Sequence, residues 1–304
     1  MRYLRLMPPT SRLLPVSVRV MLPLPAILIG SLVAHAQGVA AKAFGVNAVA
    51  AVLGLALVAA LGRRSWSDVV RGAPVIAATV GVLLAMTLLF PGVEGVSRWI
   101  ALGPVRLNAS AVAMPWLLLA VGGLLSQGRH AFALGVVTLT QALHVLQPDA
   151  GQATAFAVSA AILIGATRTV ATSWRSAGCM LALMGAAAAW MRPDPLSAVP
   201  HVERILHMAA DQGAPWLLAA LVTLAVLVLP AAHGAMWLRS VRSETAPLAA
   251  SLAVYFTATI AVTELGDFPV PVVGAGAGPV LGWYSLLGIL QLILREKASL
   301  AGSS

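Results

Sequence analysis

Charge is what this 304-residue sequence has least of: Asp, Glu, Lys and Arg make up only 10% of it, against about a quarter in a soluble domain. So few charged side chains cannot cover a water-facing surface, which excludes a soluble enzyme, a disordered chain and an ordinary nucleic-acid binder. No nucleic-acid partner is expected. A single cysteine, Cys179, allows no intramolecular disulfide and excludes a secreted disulfide scaffold. Acidic residues are scarce even among the charged ones, 10 against 19 basic, for a net charge of +9. In an apolar chain that excess marks loops facing an anionic cytoplasmic leaflet. What fills the sequence instead is hydrophobic side chain, 60% of all residues, with a mean hydropathy of +0.91.

Such a chain is an all-α, polytopic integral membrane protein. At about 20 residues per membrane helix it holds about ten spans. Apolar runs bounded by charge, proline or glycine place them at 20–37, 45–62, 74–90, 108–125, 130–147, 152–168, 175–191, 213–233, 245–263 and 277–294. No repeat or linker divides the chain, so residues 1–304 read as one transmembrane domain. With both termini cytoplasmic, the inner segments collect 14 of the basic residues and the outer ones 5, while acidic residues divide 3 inside and 7 outside. The acidic bias is no part of insertion rules and points to chemistry on the outer face. Residues 1–19 form a basic cytoplasmic leader. With the apolar run after them and Ala34-His35-Ala36, they imitate a secretory signal. Pro23 and Pro25 interrupt that run, so the first span is expected to be retained.

Four outer segments hold polar residues where apolar chain would be cheaper. The first runs from Pro91 to Gly103 and contains Glu94-Gly95-Val96-Ser97-Arg98-Trp99-Ile100. The second is Gln147-Pro148-Asp149-Ala150-Gly151-Gln152. The third is the loop 192–212, and the fourth runs from Glu264 through Asp267 and Pro271 to Gly278. Each taken alone is ordinary loop chemistry: glycine and proline at turns, Asp149 able to cap a helix, tryptophan at an interface.

Together they resemble the SEDS family (shape, elongation, division and sporulation). Gly95, Arg98, Trp99 and Ile100 match a family pattern near its third and fourth spans. Gln147-Pro148-Asp149-Ala150-Gly151 is similar to the family's glutamine-proline-aspartate-leucine-glycine signature, and Pro271 to Gly278 keeps the proline and one glycine of a third motif. Asn108-Ala109-Ser110-Ala111 and Met114 stand where the family carries glutamate and lysine, and the outer loop between spans seven and eight is short.

The resemblance implies a multi-pass protein of the bacterial cytoplasmic (inner) membrane that polymerises lipid II, or a related polyprenyl-linked glycan, into peptidoglycan. It also implies a class B penicillin-binding protein as partner, contact with membrane lipids, and no organic cofactor. His201-Val202-Glu203-Arg204 lies where the family carries its catalytic aspartate, making Glu203 the general base that takes a proton from the attacking sugar hydroxyl. Arg98, Arg106 and Arg204 are expected to pair with pyrophosphate, and Asp149 to support substrate, a metal or a structural ion pair. Were residues 201–213 one helix, Glu203, His207 and Asp211 would share a face at i, i+4, i+8, and His207 and Asp211 would be ligands for Mg²⁺ or Mn²⁺. Two other readings stand beside the enzyme. One is a catalytically degenerate scaffold for the penicillin-binding protein. The other is a transporter in which Gln141, His144 and Asp149 relay protons, although His144 equally suits a hydrogen bond to a neighbouring helix.

Overall fold

The computed structural model describes residues 14–103 and 105–302, so most of the basic leader, residues 1–13, lies outside the described residues. Ten long helices match the ten expected spans: α2 (Pro23–Ala36, preceded by α1, Val16–Arg19), α3 (Gly45–Leu61), α5 (Ala73–Met86), α6 (Ala109–Ser126), α7 (His130–Leu146), α8 (Ala150–Ala166), α9 (Thr172–Trp190), α12 (Ala214–Ser240), α13 (Ala246–Ala261) and α14 (Ala277–Gly302). Between them lie α4 (Trp66–Arg71) and two short outer helices, α10 (Pro200–Glu203) and α11 (Ile205–Asp211). Among the described residues, six of these segments are long and apolar enough to cross a membrane. The outer faces of the ten long helices carry large apolar side chains such as Leu28, Val52, Val75, Met184, Leu218 and Met236, a belt that only lipid would solvate.

Helices α6 and α14 form the axis. Their most apolar windows are 78% and 83% buried, against 28% for α12, which lies on the rim. Gly278 and Gly282, one turn apart on α14, let its backbone rest on α6: a Cβ at Gly278 would lie 2.6 Å from the Asn108 carbonyl, and one at Gly282 would strike that of Ala111. In lipid, where apolar surface gains little from association, such close approach is what holds helices together.

Three features depart from the sequence reading. The chain before α6 is a two-stranded antiparallel hairpin, β1 (Trp99–Leu102) with β2 (Val105–Asn108), pairing Trp99 with Asn108 and Ala101 with Arg106. Helix α12 runs through Pro230 and on to Ser240, beyond the expected end at 233. Proline is tolerated inside a membrane helix when neighbours satisfy the freed backbone groups. The loop 192–212 is largely helical, but in two pieces that break at Arg204 (φ −113, ψ 24).

Asn47, the third residue of α3, is fully buried and clamps the last outer loop. Its amide donates to the carbonyls of Val272 (3.2 Å) and Gly274 (2.9 Å), and its oxygen accepts from the Gly276 amide (2.8 Å). Val272 needs that clamp: it is β-branched, buried and held at φ +68, a conformation costing about 1–3 kcal/mol. Asn47→Ala leaves three buried backbone groups unpaired, at about 1–3 kcal/mol for the worst placed of them. The expected result is a melting temperature several degrees lower by tryptophan fluorescence in detergent, with Asn47→Asp no milder than Asn47→Ala, because a carboxylate cannot donate to the Val272 and Gly274 carbonyls.

Candidate functional site

The outer loops meet at one end of the bundle, and two residues organise them. The first is Arg98, just before β1 and only 4% exposed. Its Nε donates to the Pro148 carbonyl at 2.9 Å and lies 4.0 Å from Asp149 Oδ1. Its Nη2 also reaches the Pro148 carbonyl and pairs with Asp194 of the loop after α9. The guanidinium sits 5.7 Å from the centre of the Phe268 ring. One side chain thus ties the Gln147-Pro148-Asp149 turn, the loop leading to α10 and the loop after α13. Asp149 is 2% exposed and caps α8, Oδ1 accepting from the Gln152 amide at 3.3 Å. Gln147 is fully buried and donates to the Leu84 carbonyl (2.9 Å) and to Thr87 Oγ1 (2.7 Å).

The second organiser is the seam between α10 and the loop after α13. The Val202 carbonyl accepts from the Val270 amide (3.0 Å) and the His201 carbonyl from the Ala275 amide (2.9 Å). Gly274 is required at this seam, because a Cβ there would strike the Val202 carbonyl. Arg204 grips Asp267 through Nε (3.1 Å) and Nη2 (3.0 Å) at the exposed edge. Below, Gln37 donates to the Met208 carbonyl (2.8 Å) and Gln212 to that of Val33 (2.6 Å), so α11 is pinned to the end of α2.

Glu203 lies on this seam, at the last position of α10. Its Oε2 accepts from the Val199 amide at 2.7 Å, the side chain reaching back four residues to the N-cap and satisfying one of the free amides at the start of α10. Burial pushes its carboxyl up to about 7; hydrogen bonds from the Val199 amide and its own amide oppose the rise, Asp267 adds to it and Arg98 counters it. A carboxylate so placed is half in the anionic form near neutrality, where a general base works best. Burial also moves the neighbouring His201 imidazole below its ordinary value.

The geometry corrects several sequence expectations. Arg98 and Asp149 do come together, but both are buried and engaged with protein groups, so they hold the loops and are withdrawn from a substrate's reach. Arg106 is exposed on β2, and Arg204 is exposed beside Asp267. Glu203, His207 and Asp211 do not share one helical face, because the break at Arg204 separates the first from the other two. His207 and Asp211 are exposed on α11, and among the described residues no group of three His, Cys, Asp or Glu side chains is placed to hold a metal ion. The residues therefore do not fit a three-ligand site. The proposed relay is also broken. His144 Nδ1 meets Gln141 Oε1 (3.2 Å) and not Asp149, while the Gln141 amide donates to the Ala153 (3.1 Å) and Ala182 (2.7 Å) carbonyls, fastening α7 to α8 and α9. Asp194, Asp267 and Asn47 are the organising residues that sequence reasoning passed over. The signal for Asn47 was a lone amide in an apolar run.

No family model matches the chain. A probable peptidoglycan glycosyltransferase FtsW from Alkalilimnicola ehrlichii is 32% identical over 157 residues, which cover 47% of this chain and 38% of that protein. The matched stretch is thus well under half of that relative's length. The crystal structure of the rod shape determining protein RodA from Thermus thermophilus superimposes with a TM-score of 0.70 at 19% identity, over 91% of this chain and 96% of that one. A chain of a peptidoglycan synthase complex gives 0.67 at 19% identity, over 92% and 97%. The fold is that of RodA, and the chain resembles the SEDS family through its Arg98-Trp99-Ile100 and Gln147-Pro148-Asp149 motifs. In this chain the two best-kept motifs are the two halves of one buried contact, Arg98 against Pro148 and Asp149. Ala111 stands at the position of the family's glutamate, and Asn108, at that of the glutamine, caps α6, its Oδ1 accepting from the Ala111 amide at 2.9 Å.

Proposed function

We propose that this protein is a SEDS-type peptidoglycan glycosyltransferase of cell division or cell shape, polymerising lipid II at the outer face of the bacterial cytoplasmic membrane. The observation that carries the reading is Glu203, a desolvated carboxylate poised near neutrality and fixed by the Val199 amide, at the position of the family's catalytic aspartate. In the proposed step Glu203 takes the proton of the attacking sugar hydroxyl. The oxygen bonds to the anomeric carbon of the second sugar, and the bond to the lipid pyrophosphate breaks with its electrons leaving on pyrophosphate. Arg106 and Arg204, both exposed, are the guanidinium groups available to that leaving group. Binding takes place on the open outer face.

A second reading, a scaffold for a class B penicillin-binding protein, draws support from Asn108, Ala111 and Met114, which leave the start of α6 without the family's charged side chains. A peptidoglycan synthase complex among the structural neighbours supports such a partner in either case. The test is strand synthesis from lipid II by the purified protein with Mg²⁺ or Mn²⁺, alone and with the partner. Glycan strands support the enzyme; no strands from folded protein under either condition, with the partner still co-purifying, support the scaffold.

A further inference from the structure

The cytoplasmic half of the bundle contains a positive charge that the described residues leave unanswered. Arg19 ends α1, where the chain bends into α2. Its neighbours Val16, Val18 and Met21 turn outward, 43–45% exposed, while Arg19 turns inward and is 7% exposed. Long basic side chains near a membrane surface normally reach outward to the headgroups, so this orientation is unusual. Among the described residues Arg19 Nε and Nη1 are buried without an acceptor, and so is Nε2 of Gln291, itself 7% exposed.

Both donors lie where α14 meets the α1–α2 bend. On α14, Tyr284, Gly288 and Gln291 are spaced i, i+4, i+7 and share a face. Tyr284 Oη donates to the carbonyl of Val20, the residue after Arg19, at 2.9 Å, so this face of α14 is turned to the α1–α2 bend. Gly288 on the same face packs against Leu61 of α3, and one turn further on Arg295 reaches the Gly62 carbonyl. Side chains on a helix lean toward its N-terminus. By that rule Arg19, on a chain running outward, and Gln291, on one running inward, lean toward each other's depth in the bilayer. Arg63, Arg64 and Arg295 are exposed around the cytoplasmic mouth.

An uncompensated buried guanidinium is strongly destabilising, and removing such a charge relieves the fold. The geometry points to a phosphodiester-binding site in which Arg19 and Gln291 hold the headgroup phosphate of an anionic phospholipid from the cytoplasmic leaflet, with the acyl chains lying along Val16, Val18 and Met21. The unpartnered atoms here, Arg19 Nε and Nη1 and Gln291 Nε2, are all N–H donors, as a phosphate requires. The exposed arginines favour a headgroup with net negative charge over a zwitterionic one.

The test uses the full chain, delipidated in neutral detergent, with phosphatidylglycerol, phosphatidylcholine or inorganic phosphate added. Phosphatidylglycerol is expected to raise the parent's melting temperature by about 5 °C near saturation, and native mass spectrometry is expected to show it retained. Phosphatidylcholine and inorganic phosphate should give at most a small part of that shift. Arg19→Met should lose both the shift and the bound lipid, yet melt at or above the parent in lipid-free detergent, because the stranded charge is gone. Arg19→Lys should keep part of the shift, and Gln291→Leu should reduce it. Equal stabilisation by inorganic phosphate, equal lipid retention by Arg19→Met, or an Arg19→Met protein less stable than the parent without lipid would each overturn the assignment.

Discussion

Glu203→Gln should lose at least about a hundredfold in the rate of glycan polymerisation, the usual contribution of a positioned general base, while folding as well as the parent. The variant is chosen for what it keeps. Glutamine at 203 still accepts from the Val199 amide through its side-chain oxygen, so the cap on α10 and the seam to the last outer loop stay in place. It removes only the capacity to take a proton. The stability consequence follows from the raised carboxyl. The folded protein holds a proton on Glu203 up to about pH 7, whereas the unfolded chain releases it near its ordinary value of 4.5. Between those values the native state binds more protons than the unfolded one, so stability falls as pH rises through the window and the loss is complete above it. Glu203→Gln never ionises and should melt higher than the parent at pH 8, with the two converging near pH 5. A variant that is dead and also unstable at pH 8 would argue for a structural role alone.

Arg98→Met is expected to be the most damaging single change to the fold. It strands Asp149, 2% exposed and with Oδ2 unpartnered among the described residues, and frees Asp194 and the Pro148 carbonyl at once. Breaking a buried pair from one side costs about 3–5 kcal/mol, enough to lower expression and to release the 191–199 loop to protease. Asp149→Asn alone should cost far less, since asparagine remains a good N-cap for α8. Together the two changes should cost less than their sum by at least about 1 kcal/mol, because the neutral amide no longer needs the guanidinium. Strictly additive losses in thermal unfolding would show that Arg98 acts through Asp194 and Phe268 without Asp149.

The bundle was largely legible because lipid imposes a simple rule: a helix must be long and apolar, and the bounding charges and prolines print its ends. Where that rule was silent, the reading failed for identifiable reasons. Helix α12 outran its apolar run because a proline in a membrane helix need not end it. The β1–β2 hairpin falls in a segment whose glycines and tryptophan suit a plain loop equally well. The break at Arg204 removed the shared face of Glu203, His207 and Asp211, because a helical wheel assumes continuity that the docking of Val202 and His201 on the last outer loop overrides. Motif matching put Arg98 and Asp149 in the right neighbourhood but on the wrong side of the surface, since sequence reports that two charges belong together and not whether water reaches them. Asn47 was missed because one amide in an apolar run carries no pattern; its meaning lies in three backbone groups more than 220 residues away.

The most direct measurement of the central claim is the pH dependence of polymerisation by the parent protein between pH 5 and 9, at saturating lipid II and constant ionic strength. With Glu203 as the base, the rate should rise about tenfold per pH unit on the acid side, level off near pH 7, and leave only a flat residue in Glu203→Gln. A parent profile without that limb, or a Glu203→Gln protein that makes strands at the parental rate, would contradict the account.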